Sequence, residues 1–153
     1  MKKLLSICLL ILWVATAFAQ SKENEAVKRV IKNMFDSMRE GDTISYKEAF
    51  ADKVVIQYAD AKTDSTWQLV TINPVEFMQQ MAAIKKDAWD EKITRYDDLN
   101  MNNGVAVAWA PFQYFEGKRM SYCGISVFQL IKTTWGWKIV SIFYNKKTGK
   151  CPD

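Results

Sequence analysis

The chain has 153 residues, 49% apolar and 25% charged, with a formal charge of +4 and no histidine. That is room for one domain with a proper core rather than two, in a composition typical of globular proteins and not of disordered ones. The missing histidine excludes Ser–His and Cys–His nucleophiles and imidazole acid–base catalysis, and leaves no soft metal site; neither cofactor nor metal is expected.

The first stretch, "MKKLLSICLLILWVATAFAQ", has the layout of an export leader. Lys2 and Lys3 form a positive start, Leu4 to Val14 an apolar run, and Ala17-Phe18-Ala19 a small-x-small cleavage pattern. A signal peptide over 1–19 is expected, cut before Gln20, leaving one domain over 20–153. The apolar run is short for a membrane span of about 20 residues, so no membrane attachment is expected after cleavage. Cys8 lies inside the apolar run, which rules out a lipoprotein signal. Without Lys2 and Lys3 the chain carries 19 basic residues against 17 acidic, a formal charge of +2. That charge makes no case for nucleic acid. The expected location is periplasmic or secreted, in a bacterium.

"ENEAVKRVIKNMFDSMREGD" places Val27, Val30, Ile31, Met34, Phe35 and Met38 on one broad stripe of an amphipathic helix, ended by Gly41. Ser45 to Glu48 matches a capping box for a short second helix. "KVVIQYA" and "STWQLVTI" read as strands. Asn73-Pro74-Val75-Glu76 starts a third helix, whose buried face carries Phe77, Met81 and Ile84. From Trp89 the pattern becomes an antiparallel meander of long strands, "EKITRYDDLNM", "VAVAWAPFQYF", "RMSYCGISVFQLIK" and "WKIVSIFYNKK". Turns at Asn103-Gly104, Glu116-Gly117 and Trp135-Gly136 separate them. Pro111 marks a bulge or an edge position, and Gly124 a bend. Helices first and a meander afterwards predict an α+β fold with the helices on one sheet face.

This order resembles the nuclear transport factor 2-like superfamily, the cone fold of SnoaL-like proteins and ketosteroid isomerase. The likeness covers most of the chain after the leader. It is most specific in the long first helix and in "AWAPFQYF", "GKRMSYCGISVFQLIKT", "GWKIVSIFYN" and the final cysteine. It points to exported bacterial members carrying the SnoaL-like or lumazine-binding label. The resemblance implies a strongly curved, mostly antiparallel sheet wrapped around about three helices, a cystatin-like cone. It further implies a hollow for a small apolar or aromatic molecule and a homodimer through the outer sheet face. Enzymatic relatives use an Asp–His pair, and relatives often carry histidine just before the strand cysteine. Here that place is Tyr122, so histidine chemistry does not carry over.

An oxidising compartment tends to pair two thiols. With a hairpin around Trp135-Gly136, Cys123 falls opposite residues near Asn145 to Lys147, within reach of Cys151. A disulfide there would contribute roughly 3–4 kcal/mol on the chain-entropy model. Two free thiols are the alternative. No Cys-x-x-Cys redox motif is present.

Strand parity predicts the pocket lining. Trp137, Ile139, Ser141 and Phe143 should face inward from the last strand, and Tyr122, Ser126, Phe128 and Leu130 from the one before. Trp109 is taken as the bulky inward member of its strand, and Tyr58 and Trp67 come from the earlier strands. Arg95 and Asp97 share one face. The candidate ligand-binding set is therefore Tyr58, Trp67, Arg95, Trp109, Tyr122 and Ser126; the competing reading is that the aromatics simply fill the core. Two functions compete: a non-catalytic small-molecule-binding or interaction protein, and an isomerase- or dehydratase-like enzyme. The enzyme would use Asp97 as carboxylate base and Tyr58 or Tyr122 as oxyanion donor. The direction in which Asp97 points separates the two.

Overall fold

The computed structural model describes residues 2–61, 63, 66–147 and 151, with side chains from Gln20 onward. The side chains of the predicted leader and its Ala17-Phe18-Ala19 motif lie outside that description. Among the described residues no helix is long and apolar enough to cross a membrane.

Helix α1 spans Lys2–Glu40. Its predicted stripe is buried: Val27, Ile31, Met34, Phe35 and Met38 form the centre of the core, and Val30 packs against it. Gly41, at φ +72°, ends the helix. Its amide bonds back to the Met38 carbonyl at 3.2 Å and the Asp42 amide to the Ser37 carbonyl at 2.9 Å, the paired closure for which a left-handed glycine is suited. Asp42 then caps helix α2, Thr43–Glu48, by accepting from the Ile44 and Ser45 amides at 3.1 and 3.0 Å. The capping box expected at Ser45 to Glu48 is thus corrected. The tight turn at Gly41 delivers Asp42 to the first free amides, and Glu48 closes the helix instead of opening it. Helix α3, Pro74–Ala83, starts as predicted: the Asn73 side chain accepts from the Val75 amide at 3.0 Å and donates to Glu76 at 3.0 Å.

The strands are β1 (Phe50–Ala61), β2 (Trp67–Ile72), β3 (Trp89–Ile93), β4 (Asp98–Asn102), β5 (Val105–Glu116), β6 (Arg119–Thr133) and β7 (Gly136–Asn145). They form one curved, unclosed sheet in the order β2-β1-β7-β6-β5-β3, with β4 also on β5. Among the described residues only β1 and β7 run parallel. The fold is the α+β cone expected, with α1 and α2 packed on the sheet and α3 against α2.

One predicted strand is split. "EKITRYDDLNM" pairs with β5 as β3 up to Ile93, opposite Phe112, and again as β4 from Asp98, opposite Trp109. Four residues, 94–97, therefore face only two. The cause is Pro111, which can accept but not donate: its carbonyl takes the Thr94 amide at 2.9 Å, and its missing N–H leaves the edge free to arch away.

The inward faces of β5, β6 and β7 fill one end of the cone with Ala106, Ala108, Ala110, Phe128, Leu130 and Ile139, each fully buried. The inward places on this part of β5 hold only alanines. Parity then places Val105, Val107 and Trp109 outside, where they are exposed. Trp109, Val127 and Phe143 stand in register across β5, β6 and β7 on that outer face. The expectation that Ser141 and Phe143 point inward is corrected. A bulge at Val140, where Gln129 pairs with Ser141 but Leu130 with Ile139, flips the parity and turns Ile142 and Tyr144 inward.

Candidate functional site

Toward the other end of the cone the same strands change character. Beyond Ala110 the inner face of β5 continues with Phe112 and Tyr114; beyond Phe128 that of β6 continues with Ser126 and Tyr122; beyond Ile142, β7 brings Tyr144. Here the side chains leave a hollow of about 380 Å³. Met34, Phe35 and Met38 of α1 form its floor, and Thr71, Asn73, Glu76 and Gln80 its rim.

The walls are aromatic. Tyr58 stacks on Tyr144 at 5.3 Å between centroids, and Tyr114 on Tyr122 at 4.6 Å. Phe112 joins the two stacks edge-on, 6.0 Å from Tyr122 and 5.9 Å from Tyr144. Opposite, Tyr46 leans on Phe77 at 5.7 Å, and Phe77 stacks on Trp89 at 5.7 Å. Pairs of this kind are worth about 0.5–1.5 kcal/mol each beyond burial, so the walls hold their shape without filling the space between them.

Three polar groups enter this aromatic lining. Glu91 stands on β3 directly opposite Tyr114, which stands opposite Tyr122. The three form one row across the sheet. The carboxyl makes no hydrogen bond or ion pair among the described residues, and burial pushes its pKa up to about 8 against a weaker opposing pull from Lys146. It is therefore largely protonated at neutral pH. Ser126 is buried, lines the hollow, and its hydroxyl has no partner among the described residues. Lys146 holds its ammonium 3.8 Å from the Tyr58 ring centroid, 5.1 Å from Tyr122 and 5.9 Å from Tyr144. Burial, and then the nearby Glu91, raise the phenol pKa of Tyr46, Tyr122 and Tyr144 well above the usual value. Burial does the same for Tyr114, with Glu116 and then Glu91 behind it. All four stay neutral hydroxyls.

The tail positions Lys146. Gly124 lets β7 cross β6 closely: a Cβ there would collide with the Asn145 carbonyl oxygen. Asn145 in turn accepts the Ile125 amide on its side chain at 2.8 Å. Lys147 pairs with Cys123 through two backbone bonds, 3.0 and 2.8 Å. Cys123 and Cys151 then form a disulfide with Cα atoms 5.8 Å apart, in the register expected. Lys146, between two pinned neighbours, is carried over the tyrosine rings.

Of the residues singled out from sequence, the structure brings Tyr58, Tyr122 and Ser126 together in the hollow. It places the others elsewhere. Trp109 lies on the outer face for the parity reason given. Trp67 is exposed at the far end of β2, opposite Ala61 and on the face that Leu69 and Thr71 share. Arg95 and Asp97 sit in the arch between β3 and β4 and bond to each other at 2.6 Å. Asp97 is thus removed as a base for the hollow. The carboxylate that reaches it is Glu91, which sequence reasoning missed. The apolar–x–Glu–x–apolar alternation of Trp89, Glu91 and Ile93 was the available signal. Tyr144 and Lys146 were hidden by the bulge at Val140.

No protein-family model matches the sequence, and no curated protein is similar to it in sequence. Solved structures do match. An NTF2-like protein of unknown function from Shewanella baltica superposes with a TM-score of 0.61 at 15% identity, covering 84% of this chain and 97% of that one. An NTF2-like protein with a cystatin-like fold from Novosphingobium aromaticivorans gives 0.67 at 12% identity, covering 90% of both. A protein of unknown function with a cystatin-like fold from Nostoc punctiforme gives 0.61 at 11%, covering 80% and 90%. Helix α1, the arched edge strands and the hollow between them thus sit in a chain whose fold is that of the NTF2-like proteins, the cystatin-like cone.

Proposed function

We propose that the protein is an exported small-molecule-binding protein and that the tyrosine-walled hollow is its ligand site. The observation that carries this reading is the combination of open volume with unsatisfied polar groups. Glu91, Ser126 and the ring of tyrosine hydroxyls line about 380 Å³ without protein partners. Of these, the Ser126 hydroxyl is fully buried without a hydrogen bond, a free-energy cost that a ligand recovers. The Cys123–Cys151 disulfide is the kind of link that an oxidising compartment sustains, in keeping with export. The outer row of Trp109, Val127 and Phe143 supports a homodimer, which sedimentation would show as a mass twice that of the chain.

Native mass spectrometry of protein purified from its host should show a non-covalent small-molecule adduct that disappears on denaturation. Gln80→Trp, which fills the mouth from an exposed position on α3, should lose the adduct and keep its melting temperature. An adduct that survives this change would place the ligand elsewhere.

A second reading has its own support. Glu91, held protonated near neutral pH beside neutral tyrosine hydroxyls, has the makings of a general acid or base with hydrogen-bond donors at hand. Deuterium exchange into the α-position of a ring ketone, followed by NMR, would be faster than in buffer and return to background in Glu91→Gln. Binding is preferred, because among the described residues only Lys146 and the rim carboxylate of Glu76 accompany Glu91, and neither forms a catalytic pair with it.

A further inference from the structure

Taking the hollow as a ligand site, we infer that its occupant is an organic cation, a ring-bearing amine or quaternary ammonium. Its charge would take the place that Lys146 now holds over Tyr58, Tyr122 and Tyr144. The protein already demonstrates that this spot accepts positive charge. An ammonium 3.8 Å from one ring centroid and within 6 Å of two more is held by the negative faces of the rings. Lys146 belongs to the chain segment after β7, and its neighbours are fixed through Gly124 and Cys123. Its flexible four-carbon stem can therefore swing out to solvent while the backbone stays in place.

The charges lining the hollow favour the same class. Among the described residues two carboxyls, Glu91 and Glu76, line it against the single ammonium of Lys146, and no arginine does. A carboxylate or phosphate ligand would meet one flexible cation and two acids, without the planar fork that usually recognises such groups. A cation meets three ring faces and an unpartnered carboxyl. The stacked walls, Tyr58 on Tyr144 and Tyr114 on Tyr122, leave flat faces for the ligand's own ring.

Proton linkage follows. Toward the hollow, Lys146, Glu76 and the phenols of Tyr46, Tyr114, Tyr122 and Tyr144 face Glu91; on its other side, where it also lines a second cleft, α1 brings Lys32, Asp36 and Arg39 and the arch brings Arg95 and Tyr96. With the phenols neutral, an incoming cation acts chiefly on Glu91, whose empty-state pKa of about 8 must fall as the carboxylate forms. Binding at pH 7 releases a proton, and affinity for a permanently charged cation rises with pH until Glu91 is ionised in the empty protein.

Three probes of similar ring size test this by isothermal titration: benzyltrimethylammonium, benzyl alcohol and phenylacetate. The cation is expected to bind on the order of tenfold tighter than the alcohol, with phenylacetate weakest. Lys146→Met should tighten the cation by roughly fivefold by removing the internal competitor, and Glu91→Gln should weaken it by about tenfold and flatten its pH profile. Phenylacetate or benzyl alcohol binding as tightly as the cation, with Lys146→Met weakening it, would overturn the cation assignment while leaving the hollow a ligand site. Failure of all three probes in wild type and in Lys146→Met would also overturn it. Only the loss of the host-derived adduct's dependence on the mouth would remove the site itself.

Discussion

The two ends of the cone are built from the same helix and the same strands, yet they behave as opposites. At one end Val27 and Ile31 of α1 share one buried core with the alanines of β5 and the aliphatic side chains of β6 and β7. At the other, Met34, Phe35 and Met38 of that helix face tyrosines that stack on one another instead of on the helix. Aliphatic side chains interdigitate to crystal-like density; paired rings act as panels and enclose space. The first end supplies stability, and the second sacrifices some of it by burying the Ser126 hydroxyl unsatisfied and by holding the Glu91 carboxyl half-buried with no hydrogen bond among the described residues.

The largest expected effect sharpens that contrast. Phe128 is fully buried at the packed end and meets Phe35 edge-on at 6.0 Å. Phe128→Ala should destabilise by about 3–5 kcal/mol in chemical denaturation, the usual range for a core aromatic. Tyr122→Phe, in the wall of the hollow, removes a hydroxyl with no protein partner and should cost under about 0.5 kcal/mol. Comparable losses from both would erase the distinction between the ends.

The next effect depends on pH. Glu91 has a folded pKa raised to about 8 from an ordinary value of 4.5. The folded state therefore binds its proton more tightly, and stability falls as pH rises through the interval between those values. Below it the penalty is absent; above it the penalty is complete. Glu91→Gln should match wild type near pH 4 and exceed it at pH 9 by roughly 2–4 kcal/mol, less than the full shift implies because water enters the hollow. The neighbouring phenols are neutral across this range, and Lys146 opposes the shift without cancelling it. A wild-type protein equally stable at both pH values would mean that Glu91 ionises freely.

The packed end was far more legible in the sequence than the hollow, for a physical reason. Regular burial leaves a regular period, so the stripe on α1 could be read directly, and the Asn73-Pro74 cap and the Asn103-Gly104 turn were legible as local backbone signals. The hollow is assembled where regularity breaks. The bulge at Val140 reverses the parity of β7 and hid Tyr144 and Lys146. Pro111 interrupts the edge strand, so Arg95 and Asp97, which parity grouped with the site, are carried into an exposed arch. Tyr58, Tyr122 and Ser126 were legible because no irregularity separates them from the paired part of their strands. The large side chain of Trp109 misled because alanines fill the inward places on this part of β5 and its bulky residues stand on the outer face.

The smallest effect is the most diagnostic, because its sign depends on whether the hollow is occupied. Ser126 is 1% exposed and its hydroxyl lacks a partner among the described residues. Burying such a group costs about 1–3 kcal/mol, so Ser126→Ala should stabilise the empty protein by about 1 kcal/mol, net of the small void it leaves. In protein carrying a ligand that bonds to this hydroxyl, the same change removes a satisfied hydrogen bond and should destabilise by a similar amount. Thermal melts of wild type and variant, each stripped by denaturation and refolding and each as purified from the host, give the two signs side by side. Stabilisation in both preparations would mean that the hydroxyl never meets a ligand, and the wall at Ser126 would then belong with the packed end.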